Sequence, residues 1–141
     1  MIVTFCGHSE LSAGALVREW LSDVCERLIV SGADEFLLGG YGAFDELCDD
    51  VLCDPKHQYC HIRLVLVLPY LNRAIPTAGY DATVYPPLES VPRRYAILRR
   101  NEWMIQHSDV VVAYVIHDWG GAARTLEYAR RKKNLILQYG K

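Results

Sequence analysis

The chain has 141 residues, 51% of them hydrophobic and 23% charged, which is enough apolar material for one core and predicts a single domain over 1–141. Fifteen Lys and Arg against seventeen Asp and Glu leave a formal net charge of −2. A general nucleic-acid binder needs a basic surplus to replace phosphate counterions, so nucleic acid is not the expected partner.

Ile2 to Cys6 reads as a first strand, followed by a helix from about Ser12 to Ile29 with Leu16, Trp20, Val24 and Leu28 along one stripe. Glu35 to Leu38 is a short second strand that ends at Gly39-Gly40. A second helix is predicted from Ala43 to Leu52, stopping before Pro55. His61 to Leu68 is almost continuous in Ile, Leu and Val, as a strand covered on both faces requires. Tyr70 to Glu89 holds Pro76, Gly79, Pro86 and Pro87 and reads as a long loop, a feature that usually carries function or mobility. Ser90 is placed to cap a third helix, with Pro92 in its first turn and an end near His107. Asp109 to Ile116 is the fourth strand, Ala122 to Lys133 a fourth helix with Arg130 to Lys133 at its negative end, and Leu135 to Tyr139 the last strand.

Strands alternating with helices predict an α/β, Rossmann-like three-layer sandwich. Right-handed crossovers give its five-stranded parallel sheet the order 3-2-1-4-5. The switch point then lies between the first and fourth strands, and ligands of open parallel sheets bind at the carboxyl ends there. Topology alone thus nominates the loops after Cys6 and after Ile116.

The first of these loops is Gly7-His8-Ser9, a glycine that allows close approach and a hydroxyl for phosphate or ribose, or simply a strand-to-helix turn. Gly39-Gly40-Tyr41-Gly42-Ala43-Phe44-Asp45 also joins a strand to a helix, the setting in which free backbone N–H groups meet an anion. It is neither the dinucleotide fingerprint nor a P-loop. Asp45 either contacts the ligand or favours the helix dipole. Gly120-Gly121-Ala122-Ala123-Arg124-Thr125-Leu126-Glu127 opens the fourth helix at the switch point, with Thr125 and Arg124 as polar candidates. Glu127 is either a first-turn dipole residue or a carboxylate facing the crevice. Arg99-Arg100-Asn101, near Arg93 and Arg94, is a solvated face or an anion clamp.

Other constellations are weaker. Cys48, Cys53, His57, Cys60 and His61 match no standard zinc spacing, so no metal is assigned, and five cysteines without a secreted framework point to reduced thiols. Ser9, His8 and Asp109 lack a nucleophile elbow, and Asp109 opens its strand at the end away from the crevice. The start of the chain carries no signal-peptide pattern, and the longest apolar run, Leu64 to Leu71, is too short for a bilayer, so a cytoplasmic protein without a membrane partner is expected. Trp20, Trp103, Trp119 and nine tyrosines suit a core, a self-association patch (a homo-oligomer) or base stacking.

The chain resembles the YpsA-like branch of the SLOG superfamily, related to LOG phosphoribohydrolases and to DprA. The features that carry the resemblance are Gly7-His8-Ser9, the Gly39 to Asp45 loop, and the block Arg100-Asn101-x-x-Met104-Ile105-x-x-Ser108-Asp109 running into Val110 to Tyr114. Gly120-Gly121, Thr125 and Tyr128-Ala129 complete them. The resemblance implies a Rossmann-like fold and a ligand sensor for NAD, ADP-ribose or similar nucleotide-derived molecules. It implies contacts from Gly7, His8, Gly39, Gly42, Arg100, Asn101, Gly120, Gly121 and Thr125. With Ser9, Gly40 and Asp45 from the loops themselves, these form the candidate binding set. No cofactor beyond that ligand is assigned.

The alternative is an enzyme that cleaves an N-glycosidic bond, of phosphoribohydrolase or nucleoside deoxyribosyltransferase type, with Glu127 as its catalytic carboxylate. LOG enzymes carry P-G-G-x-G-T-x-x-E. Here the proline is absent, Ala123 replaces a glycine, and Glu127 follows the threonine by two residues, not three.

Overall fold

The computed structural model describes residues 1–71, 77 and 79–140, with only the backbone of Lys56 and His57. Part of the expected 70–89 loop, 72–76 and 78, therefore lies outside the described residues, as does the His57 side chain.

The strands are β1 (Ile2–Gly7), β2 (Glu35–Leu38), β3 (Arg63–Val67), β4 (Ala82–Val84), β5 (Val110–Tyr114) and β6 (Leu135–Gln138). They form one sheet in the order β4-β3-β2-β1-β5-β6, every pair parallel. The expected order 3-2-1-4-5 is preserved as β3-β2-β1-β5-β6, with a sixth strand added at the β3 edge. The helices are α1 (Gly14–Val30), α2 (Ala43–Gln58), α3 (Ala96–Gln106) and α4 (Gly121–Arg131).

Side chains of a strand alternate between faces, and that alternation sorts the core. Val3, Phe5, Phe36, Leu38, Val110, Val112 and Tyr114 face α1 and α2. Cys6, Val111, Ala113 and Val115 face Ile105 of α3 and Leu126 and Ala129 of α4, while Leu37, Val65 and Val67 pack on Met104. Thr4 is fully buried in the central strand, and its hydroxyl donates to the Leu37 carbonyl at 3.1 Å, which offsets its burial. Both faces of the sheet are covered, as the three-layer reading requires. Among the described residues no helix is long and apolar enough to cross a membrane.

Four local expectations are corrected. On α1 the buried seam is Val17, Leu21, Val24, Cys25, Leu28 and Ile29, which keeps Val24 and Leu28 of the expected stripe but adds Val17, Leu21, Cys25 and Ile29, and Leu16 is exposed. Leu16 and Trp20 of the expected ladder mark only the edge of the apolar face, where Trp20 leans on Tyr139. Helix α2 runs through Pro55 to Gln58. Its buried face, Phe44, Cys48, Val51 and Leu52, is complete before the proline, so the missing N–H weakens only the final turn.

The segment expected as loop contains β4, which is tied to β3 by the Asp81 N–H to the Leu64 carbonyl and the Leu64 N–H to Asp81 Oδ2, both 2.8 Å. Ser90 does not cap α3. A 3-10 turn at Arg93–Tyr95 precedes the helix, and the cap position is Tyr95. Proline at 92 instead supplies the carbonyl that the Tyr95 N–H meets at 2.9 Å.

Candidate functional site

From β1 the chain turns to α1 on one face, and from β5 to α4 on the other. The resulting crevice at the carboxyl ends of β1 and β5 is a cavity of about 680 Å³. Its near wall is the β1–α1 loop. The His8 N–H extends the sheet ladder to the Tyr114 carbonyl at 3.3 Å, and the Ile116 N–H donates to His8 Nε2 at 2.9 Å. His8 is therefore an acceptor at Nε2, and burial, followed by the neighbouring His117, lowers its pKa. The Tyr114 hydroxyl fastens the same loop to Ser12, 3.1 Å from its Oγ.

Two glycines of the candidate set serve packing. A Cβ on Gly7 would meet the Phe44 ring, its nearest carbon 2.2 Å away, so this glycine lets α2 close on β1. At Gly42 (φ +91°) a Cβ would come within 2.9 Å of Ser9 Cα, and the adjacent Ala43 N–H is already bound to the Ser9 carbonyl at 2.9 Å. The expected anion loop thus spends its first helix donor on the neighbouring loop. Gly39, Gly40 and Gly42 do not line the cavity, whereas Gly7, His8 and Ser9 do.

The floor is built by α3. Arg100 falls on the buried stripe Ala96–Arg100–Met104 and is 1% exposed. Its Nη1 donates to the Gly39 carbonyl at 2.8 Å and the Val67 carbonyl at 2.9 Å, and its Nε to Asn101 Oδ1 at 2.9 Å. Those carbonyls end β2 and β3, so the guanidinium closes strand ends that would otherwise lack donors. Gly39 gives it room: a Cβ there would lie 3.2 Å from Arg100 Cζ and 3.0 Å from Asp45 Oδ2. Burial lowers the Arg100 pKa and Asp45 opposes that shift, leaving a cation in the cavity wall.

Asp45 accepts the Tyr41 N–H at 3.0 Å. Burial pushes its carboxyl up to about 6, against the Tyr41 bond and Arg100, with Asp49 and Glu46 adding to the rise. Cys6 also reaches the cavity, but burial pushes its thiol up to about 12, and it donates to the Ala122 carbonyl at 3.2 Å. It is no nucleophile near neutral pH.

The far wall is the β5–α4 loop and the start of α4. Gly120, Gly121, Ala122 and Thr125 line it, and no side chain caps the helix. The Thr125 hydroxyl donates back to the Gly121 carbonyl at 2.9 Å. Glu127, by contrast, is exposed, pairs with Arg130 at 3.5 Å and takes no part in the lining. Leu126 and Ala129 turn inward, which carries Glu127 to the outer face. Of its two readings, the crevice-facing one does not hold.

The arginine run likewise divides. Arg99 pairs with Glu102, Arg93 lies over Tyr70 and Arg94 over Tyr95, so only Arg100 turns inward. Asp109 takes the Ile2 N–H at the opposite end of the sheet. Among the described residues no three potential metal ligands cluster; Cys48 is buried, while Cys53 and Cys60 are exposed.

The cavity therefore gathers Gly7, His8, Ser9, Asp45, Arg100, Asn101, Gly120, Gly121 and Thr125. Sequence reasoning missed Ser12, Ile116 and His117 and left Tyr41 and Trp119 without a place in the site, and all five share the lining. Tyr41 and Trp119 sit beside nominated glycines, and a loop at the switch point was signal enough to weigh each of its side chains.

No protein-family model matches the sequence, and no curated protein does. Solved structures do. DNA processing protein A from Helicobacter pylori, described for its single-stranded DNA binding mode, superposes with a TM-score of 0.68 at 15% identity, over 98% of this chain and 64% of that one. The molybdenum cofactor carrier protein of Chlamydomonas reinhardtii gives 0.65 at 16% identity, over 97% and 75%. The fold is Rossmann-like, a parallel sheet flanked by helices. DprA from Streptococcus pneumoniae, at 0.53 and 12% identity, agrees over 96% of this chain and 57% of its own. The chain thus spans less than two thirds of either DprA structure.

Proposed function

We propose that the chain is a cytosolic binding module of the YpsA-like kind, which holds a phosphate-bearing, nucleotide-derived small molecule such as NAD or ADP-ribose without transforming it. The observation that carries this reading is the pairing, across one cavity, of the buried Arg100 guanidinium with the start of α4, which no side chain caps. A fixed cation and a helix N-terminus at a switch point suit an anionic group. The volume of about 680 Å³ lies within the range usual for small-molecule sites. Serine hydroxyls at Ser9 and Ser12 and the Asn101 amide supply hydrogen bonds for a sugar.

A sensor fits better than a glycosidase, because Glu127 stands outside the crevice and Asp45 is engaged by Arg100 and the Tyr41 N–H. The test is a thermal-shift screen against NAD, ADP-ribose, AMP, cyclic dinucleotides and deoxynucleosides, with mass analysis of each stabilising mixture. A ligand at about a hundred times its Kd should add roughly 2.7 kcal/mol. Stabilisation with the ligand recovered intact supports the reading. Release of free base, or salt-dependent retention of single-stranded DNA without small-molecule binding, contradicts it.

A further inference from the structure

An exposed tryptophan at a cavity mouth is the feature that the phosphate chemistry above leaves unused. Trp119 is 69% exposed, yet it is held in place. Its ring stacks on His117 at 3.9 Å between centroids and 14° between planes, and His117 stacks on His8 at 3.8 Å and 19°. Each supporting ring is pinned. His8 accepts the Ile116 N–H and meets Tyr114 edge-on, and His117 Nδ1 lies 2.9 Å from the Trp119 carbonyl.

All three rings line the cavity that also contains Arg100 and Gly121. Ile116 and Tyr41, 56% and 55% exposed, line it as well. An apolar surface left in water beside a polar pocket marks a binding face, and a pre-stacked indole loses little freedom when another ring joins it.

We infer that Trp119 is the stacking platform for the planar heterocycle of the ligand, with His117 and His8 as its rigid backing. This rests on the binding reading above and narrows it to ligands that carry an aromatic base. A sugar phosphate alone would fill only the Arg100 end of the crevice. Of the two ends of this three-ring stack, His8 meets Tyr114 edge-on and Trp119 stands exposed, so the heterocycle extends the stack from Trp119 as a fourth ring. Base-on-aromatic stacking tolerates different bases, since each has a π-face. Selectivity among heterocycles then falls to the polar edge groups.

The test is calorimetric titration of the full chain, its Trp119→Ala and its Trp119→Phe variants with NAD, ADP-ribose, AMP, GMP and ribose 5-phosphate. The proposal predicts that Trp119→Ala weakens the base-bearing ligands by about ten- to a hundredfold and changes ribose 5-phosphate by less than about twofold. Trp119→Phe should stay within a few-fold of the parent while losing the fluorescence quench on ligand addition. Because Trp119 is on the surface, these variants should unfold at the parent's temperature. Equal weakening of ribose 5-phosphate, or undiminished affinity for the base-bearing ligands in Trp119→Ala, overturns the stacking role and leaves the binding reading standing. A fall in oligomeric state with unchanged affinity also overturns it and assigns Trp119 to an interface. If none of the base-bearing probes binds the parent, the binding reading falls and the platform with it.

Discussion

Two helix starts in this protein share a backbone and differ in what they do. Gly42 before α2 has φ 91° and ψ 171°, and Gly120 before α4 has φ 92° and ψ −179°. Each follows a strand, each caps a helix without a side-chain bond, and each stands in a glycine-rich run. Gly42 is pressed against Ser9, whose carbonyl consumes the Ala43 N–H. A Cβ on Gly120 would come no nearer than 3.9 Å to another segment, at His117 Cε1, and one on Gly121 would meet nothing within 4 Å. The same local geometry makes a packing joint in one place and an open cavity wall in the other. What decides is the tertiary neighbour.

Substitutions can pull the two apart. The largest effect is expected at Arg100, which serves both regions. Arg100→Met should cost about 3–5 kcal/mol in denaturant unfolding, since it strands the Gly39 and Val67 carbonyls and leaves Asp45 without its cation. Next come the packing glycines. Gly7→Ala, with the Phe44 ring in its way, should lose about 3 kcal/mol, and Gly42→Ala, strained in φ and against Ser9 backbone, about 2 kcal/mol.

A smaller effect is expected from pH. Asp45 is raised to about 6 in the fold, so the folded state binds the extra proton between the ordinary aspartate value of about 3.9 and about 6. Its contribution to stability is present at low pH and is lost as pH rises through about 6. His8, lowered in the fold, works in the opposite sense, its contribution vanishing as pH falls below about 6.5. Comparison with Asp45→Asn cancels the His8 contribution. The stability of the parent relative to that variant should fall by about 2 kcal/mol between pH 4 and pH 7. The smallest effect belongs to the open wall: Gly121→Ala should change stability by less than about 0.5 kcal/mol.

The contrast also separates what the sequence disclosed from what it hid. The sheet order followed from the alternation of apolar runs, because parallel strands need crossovers of fixed hand. The crevice followed from the order. Arg100 was left between a solvated face and an anion clamp, although its place between Ala96 and Met104 on an i, i+4 stripe is what turns it inward. The outward turn of Glu127 was not readable: its spacing left a dipole residue and a crevice-facing carboxylate open, and only the inward packing of Leu126 and Ala129 decides between them. Strand β4 was not readable either, since the alternation of Ala82, Thr83 and Val84 is too short to stand out among prolines and glycines. Pairing with β3 and packing on the cluster of Leu37, Val65, Val67 and Met104 fix it. Nor could the glycine loops be ranked, because the atoms that fill or leave the space beside Gly42 and Gly121 come from distant segments.

Backbone amide shifts during titration with ADP-ribose test that ranking most directly. The account predicts that the amides of Gly120, Gly121 and Ala122 move with saturation while those of Gly40, Gly42 and Ala43 stay in place. Saturable movement at Gly42 and Ala43, with Gly120 and Gly121 unmoved, would contradict it.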